Sequence, residues 1–181
     1  MVNLSDFVQI YDDTLDENKC NFLIDLIEQN PEYVQNEDED YYSVMNLTEL
    51  RDSSMEVNEI HNSLIKIVFE HRDKYYELFD KRVFPEKHAF EQFKIERYVP
   101  NEEEHFFTHI GVKDYSSARR YLCFMWYLND NAAGQNKFLD LFIQPERGKL
   151  VVYPPFWMFP YKKFEPIQEP QYILKTYLHY K

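Results

Sequence analysis

Glycine is scarce in this 181-residue chain: three residues, at positions 111, 134 and 148. Few backbone sites can therefore reach positive φ through glycine, and three scattered glycines cannot assemble a phosphate-cradling loop. Cysteine is rarer still. Cys20 falls in a helical pattern and Cys123 in a strand pattern, so both read as buried small hydrophobes rather than as a disulfide. No Cys-x-x-Cys pair or His-Glu-x-x-His helix is present to hold zinc. Ser116 and Ser117 lack Gly-x-Ser-x-Gly surroundings, which gives no indication of a serine nucleophile. No run of eighteen apolar residues occurs, and Met1-Val2-Asn3-Leu4-Ser5-Asp6 is not a signal peptide. Positive charge is outnumbered, with 20 Lys and Arg against 32 Asp and Glu and a formal net charge of −12. That balance argues against non-specific nucleic-acid binding and against anchoring to anionic lipid. The expectations are no nucleic-acid partner, no membrane partner, and a reducing cytosol or a particle assembled there rather than secretion.

What is abundant is aromatic. Fifteen Tyr, fifteen Phe and two Trp bring aromatics to 18%, in a chain of 22.2 kDa that reads most simply as one domain over residues 1–181 with a substantial core. Phe7-Val8-Gln9-Ile10-Tyr11 alternates at period two and predicts a first strand. Asp16 is placed to cap a helix over Glu17–Gln29 with Cys20, Leu23, Ile24 and Ile27 on one face. Residues 31–54 are polar and aperiodic and read as a long loop. A second helix is predicted from Glu56 to about Lys81, burying Val57, Ile60, Leu64, Ile67, Val68 and Leu78. From Phe90 the period changes to two, with strand candidates at Phe90–Val99, His105–Gly111, Arg120–Asn129, Phe138–Gln144, Lys149–Tyr153 and Tyr172–Tyr180. Many strands joined by short turns predict two packed sheets, a sandwich or jelly roll, with Arg120–Leu128 in the middle because it is apolar on both faces. The acidic runs Glu37-Asp38-Glu39-Asp40 and Glu102-Glu103-Glu104 read as solvated loops.

One stretch has a recognisable order. His109-Ile110-Gly111 is followed by Tyr127-Leu128-Asn129-Asp130, by Gly134-Gln135-Asn136-Lys137, by Arg147-Gly148-Lys149, by Pro154-Pro155-Phe156-Trp157 and by Tyr161 with Gln171 ten residues on. This order resembles the Fe(II)/2-oxoglutarate-dependent oxygenases of the prolyl 4-hydroxylase type, in particular their small phage-borne versions. The resemblance covers roughly residues 85–181 and implies a mainly β fold with N-terminal helices (α+β), a double-stranded β-helix whose core is 85–181, with 1–84 as helical support. It also implies the chemistry of the family: Fe(II) held on one face by two His and one carboxylate, with a basic residue for the far carboxylate of 2-oxoglutarate. Here His109 stands at the first ligand position. Gly111 stands where the family has Asp, Tyr161 where it has the second His, and Gln171 where it has Lys or Arg. A neutral amide cannot form that ion pair, and a phenol with a pKa near 10 is a poor ligand for Fe(II).

Scaffold kept with ligands lost predicts a pseudoenzyme. The favoured expectation is a phage-encoded binding or virion structural protein in the host cytoplasm or virion, with a protein partner, virion or host, and self-association left open. Catalytic residues and metal ligands are then expected to be none, and His109, Gly111, Tyr161 and Gln171 to form a vestigial pocket. Two alternatives stand beside it: an active Fe(II)/2-oxoglutarate-dependent dioxygenase with an atypical ligand set, and a sensor that keeps the pocket without turnover. The Tyr161 ring is expected to fill the vacated space, its hydroxyl bonded to His109 or Gln171. His105 is expected at the surface, and Asp114 beyond the strand end, able to reach the pocket only by rearrangement. The aromatic segment Tyr153–Tyr161 is expected to pack in the core, with a protein-binding surface as its other use.

Overall fold

The computed structural model describes residues 3–37, 42–100, 107–164, 166 and 168–181. His105, Glu102-Glu103-Glu104 and Asp38-Glu39-Asp40 lie outside the described residues, and with them the expectations about those positions. In chain order the elements are β1 (Gln9–Tyr11), α1 (Glu17–Gln29), β2 (Val34–Glu37), β3 (Tyr42–Asn46), α2 (Met55–Glu77), β4 (His88–Phe90), β5 (Lys94–Tyr98), β6 (Phe107–His109), β7 (Arg120–Tyr127), β8 (Asn136–Phe138), β9 (Leu141–Ile143), β10 (Leu150–Tyr153), β11 (Tyr161–Lys163) and β12 (Gln171–Tyr180).

The helices form where the sequence puts caps ahead of an apolar stripe. The Asp16 carboxylate accepts from the Lys19 amide at 3.0 Å, and α1 buries Cys20, Leu23 and Ile27. Ser54 accepts from the Val57 amide, and α2 buries Val57, Ile60, Leu64 and Val68, then His71 and Tyr75. Leu78 is not part of that stripe: it is the C-terminal cap, past the last full turn, and is 53% exposed.

Two antiparallel sheets hold the strands. The larger has the order β1-β10-β7-β12-β5-β3-β2, with β4 also paired to β12, and the smaller has the order β6-β11-β8-β9. Alternation along a strand sends its side chains to two layers. From β7, Leu122, Phe124 and Trp126 join the helices in an outer core with Leu23, Leu64 and Val68. Cys123, Met125 and Tyr127 face the smaller sheet and meet Phe138, Tyr161 and Ile173 in an inner core. The expectation of a central, doubly buried strand at Arg120–Leu128 holds, and both cysteines are buried and free.

Three differences from the sequence reading have local causes. Residues 31–54 are not one loop, because β2 and β3 pair from Val34↔Met45 to Glu37↔Tyr42 and extend the large sheet through β5; the outer strand's polar composition hides the pattern. Phe138–Gln144 is a hairpin, β8 turning into β9 at Leu139, whose φ of 54° is unusual for a branched side chain. Strand β11 lies where a proline-rich aromatic segment gives no period. That segment divides: Tyr153, Phe159 and Tyr161 are buried, whereas Trp157 is 75% exposed. Gly148, with φ of 76°, turns the chain into β10 so tightly that a Cβ there would meet the Leu15 carbonyl oxygen at 2.3 Å.

Candidate functional site

Strands β6, β11 and β8 are neighbours in register, with Tyr161 opposite His109 on one side and opposite Phe138 on the other. Because cross-strand partners point to the same face, the three rings form a row along the inner surface. Tyr161 stacks on His109 with centroids 5.1 Å apart and on Phe138 at 4.8 Å, and Tyr153 meets it edge-on at 5.9 Å. The Tyr161 ring is packed between those strands, and only 3% of the residue is exposed. Its hydroxyl bonds elsewhere than expected.

The partner is Lys175, on the inner face of β12, whose ammonium donates to the Tyr161 hydroxyl at 3.3 Å. The same ammonium donates to both oxygens of Glu96 on β5, at 3.0 and 2.8 Å, and the Tyr98 hydroxyl donates to Glu96 at 3.0 Å. Lys175 and Glu96 are 7% and 8% exposed. Burial works against the Lys175 charge, but the Glu96 carboxylate outweighs it and holds the lysine well above its ordinary pKa. Burial likewise raises Glu96, and the Lys175 charge and hydrogen bond more than reverse it, so its pKa is lowered. The pair is an ion pair. Burial keeps Tyr161 a neutral phenol, and burial followed by the Lys175 charge brings His109 down to about 4, a neutral imidazole at pH 7.

Of the other expected residues, Gly111 and Asp114 line the same cleft as His109 and Tyr161, and Gln171 is not among its lining residues. At Gly111 a Cβ would lie 2.5 Å from Pro155 Cβ and 3.1 Å from a Tyr177 ring carbon, so those side chains occupy the room a side chain at position 111 would need. Gln171 is fully buried; its Oε1 accepts from Lys163 at 2.9 Å, and its Nε2 has no hydrogen-bond partner among the described residues. Lys163, on β11, is 2% exposed and lies 3.6 Å above the Tyr98 ring. Asp114 is exposed and engaged by the Ser116 and Ser117 hydroxyls and the Ser117 amide, which hold its carboxyl at about 2. Arg120 fixes the start of this loop: it donates to the Gly111 carbonyl at 2.6 Å and bidentately to Glu91, which His179 also contacts.

Around these side chains is a cleft of about 250 Å³, lined by Tyr42, Val44, Lys94, Glu96, His109, Gly111, Lys113, Arg120, Tyr161, Lys175 and Tyr177, among others. Among the described residues, no three His, Cys, Asp or Glu side chains gather to hold a metal ion. A neutral imidazole, a neutral phenol and a carboxylate already paired with an ammonium differ from the two-histidine, one-carboxylate set of the non-haem Fe(II) oxygenases. Sequence reasoning missed Glu96, Lys175 and Lys163. A signal was present for one: Lys175 sits between Ile173 and Tyr177 on the same face of a strand apolar on both sides.

No protein-family model matches the chain, and no curated protein does. Solved structures do. A viral collagen prolyl hydroxylase from Paramecium Bursaria Chlorella virus-1 is similar with a TM-score of 0.71 at 15% identity, over 100% of this chain and 94% of that one. A prolyl hydroxylase from Trichoplax adhaerens, in complex with a fragment of a hypoxia inducible factor, gives 0.69 at 12% identity, over 96% and 83%. A Pseudomonas putida prolyl-4-hydroxylase gives 0.64 at 13%, over 97% and 93%. The chain has the fold of the prolyl 4-hydroxylases.

Proposed function

We propose that this chain is a non-catalytic binding protein, a pseudoenzyme on the scaffold of the Fe(II)/2-oxoglutarate oxygenases. In this reading β10-β7-β12-β5 and β6-β11-β8-β9 are the two halves of a double-stranded β-helix (jelly roll), within one domain over 1–181. Residues 1–84 support the core formed by 85–181. The observation that carries the reading is the Lys175 ammonium, bonded to Glu96 and to Tyr161, whose ring stacks on the His109 imidazole. A protein partner, in a virion or among host proteins, follows from the sequence resemblance; exposed Trp157 and Met158 are compatible with one.

The similarity to prolyl hydroxylases over the whole chain favours a second reading, an active 2-oxoglutarate-dependent dioxygenase with an atypical ligand set. Two measurements separate the readings: iron content after anaerobic purification, and calorimetry with 2-oxoglutarate. The non-catalytic reading expects iron far below one per chain and no saturable heat. Stoichiometric iron together with saturable 2-oxoglutarate binding would move the assignment to the dioxygenase.

A further inference from the structure

We infer that the Lys175 ammonium is the resident cation of this cleft, standing in for the divalent metal, and that it keeps metal out as effectively as the missing ligands do. The inference rests on the non-catalytic reading and adds a cause to it. Lys175 points into the inner layer from β12, is 7% exposed, and spends its donors on Glu96 and on the Tyr161 hydroxyl. Tyr161 in turn stacks on His109. One cation is therefore surrounded by a carboxylate, a phenol oxygen and, beyond the phenol, an imidazole. The carboxylate absent at Gly111 is present on another strand, as Glu96, and is already neutralised.

A metal ion entering here would meet a fixed positive charge in a poorly screened interior, and the inner-layer carboxylate, Glu96, would already be engaged by that charge. Restoring an imidazole at position 161 should then be insufficient while Lys175 is charged. Removing the ammonium as well should release Glu96 towards the two imidazoles, which would sit opposite each other in register. Methionine suits position 175, being unbranched and uncharged.

The test titrates Co(II) into wild type, Tyr161→His and Tyr161→His/Lys175→Met, read by visible absorption and by thermal unfolding. The expected result is no binding by wild type and at least tenfold tighter binding by the double variant than by Tyr161→His. Adding Glu96→Gln to the double variant should abolish the gain. Equal affinity of Tyr161→His and the double variant would overturn the inference, as would a folded double variant blind to Co(II). If the double variant is unfolded without metal, circular dichroism carries the same comparison. Refolding by Co(II) that Glu96→Gln abolishes supports the inference, and no refolding overturns it. Iron and 2-oxoglutarate bound by wild type would refute the non-catalytic reading before any variant is made, so the two failures are distinguishable.

Discussion

The His109 and Tyr161 rings lie face to face across a cross-strand pair, 5.1 Å between centroids and 20° from parallel. Tyr161 also stacks on Phe138, so its ring is a packing element between two strands, and its hydroxyl contributes one 3.3 Å bond from Lys175. Ring and hydroxyl should therefore separate on mutation. Tyr161→Phe keeps the ring and leaves Lys175 its bonds to Glu96, with an expected loss of about 0.5–1.5 kcal/mol. Tyr161→Ala empties the row and should cost about 3–5 kcal/mol. Denaturant unfolding of both variants checks this; equal losses would mean that the hydroxyl, not the ring, anchors the site.

Gly111 leaves little room for any side chain. A Cβ there would lie 2.5 Å from Pro155 Cβ, and a proline ring cannot swing aside as a lysine tip can. Gly111→Asp is therefore expected to destabilise by about 1–3 kcal/mol through overpacking. For a chain of this size that lowers the melting temperature by a few degrees per kcal/mol, readable by calorimetry. A variant as stable as wild type would show that Pro155 yields and that position 111 accepts a side chain.

Arg120 holds the same segment from the other side. It bonds the Gly111 carbonyl and both oxygens of Glu91, with 23% and 19% of the two side chains exposed. The half-buried, bidentate geometry puts the pair above an ordinary surface ion pair, and Arg120→Ala should cost about 1–3 kcal/mol. Arg120→Lys should recover little of it, because one ammonium cannot span Glu91 and the carbonyl as the planar fork does. Full stability in Arg120→Lys would mean that charge alone matters here.

Helix α1 is legible to the residue because Asp16 and the Cys20, Leu23 and Ile27 stripe are local signals. Strand β7 is legible because both its faces are apolar. The positions His109 and Tyr161 are legible from motif order, and register then makes them cross-strand partners. The polar half of the site is not. Glu96 and Lys175 are far apart in sequence and meet only because β5 and β12 are neighbours with matching inner faces. In Lys94-Ile95-Glu96-Arg97, alternation around Ile95 looks like a strand with one wet face, whereas that face is the inner layer. Strand pairing, not local pattern, decided which polar residues are inside.

Acid should destabilise this protein in two steps of the same sign. His61, His71 and His109 all have lowered pKa values, burial being the first cause in each, and His109 falls from 6.5 to about 4. Below about pH 6.5 the unfolded chain therefore binds protons that the folded chain refuses, and stability falls with pH until the folded values are passed. His109 contributes on the order of 3 kcal/mol to that fall between pH 6.5 and 4. Glu91 and Glu96 are lowered too, each against the effect of burial, by Arg120 and His179 and by Lys175 respectively. Their stabilisation is complete above the ordinary glutamate range and is lost as pH drops through their folded values, which lie below 4.5. Urea midpoints measured from pH 7.5 to 3.5 should decline from about pH 6.5 and steepen below about 4.5. His109→Gln should reduce the first decline, leaving the share of His61 and His71, and keep the second in place. A wild-type midpoint constant down to pH 4.5 would show that the imidazoles protonate in the folded state, and the neutral His109 beside the Lys175 charge would have to be given up.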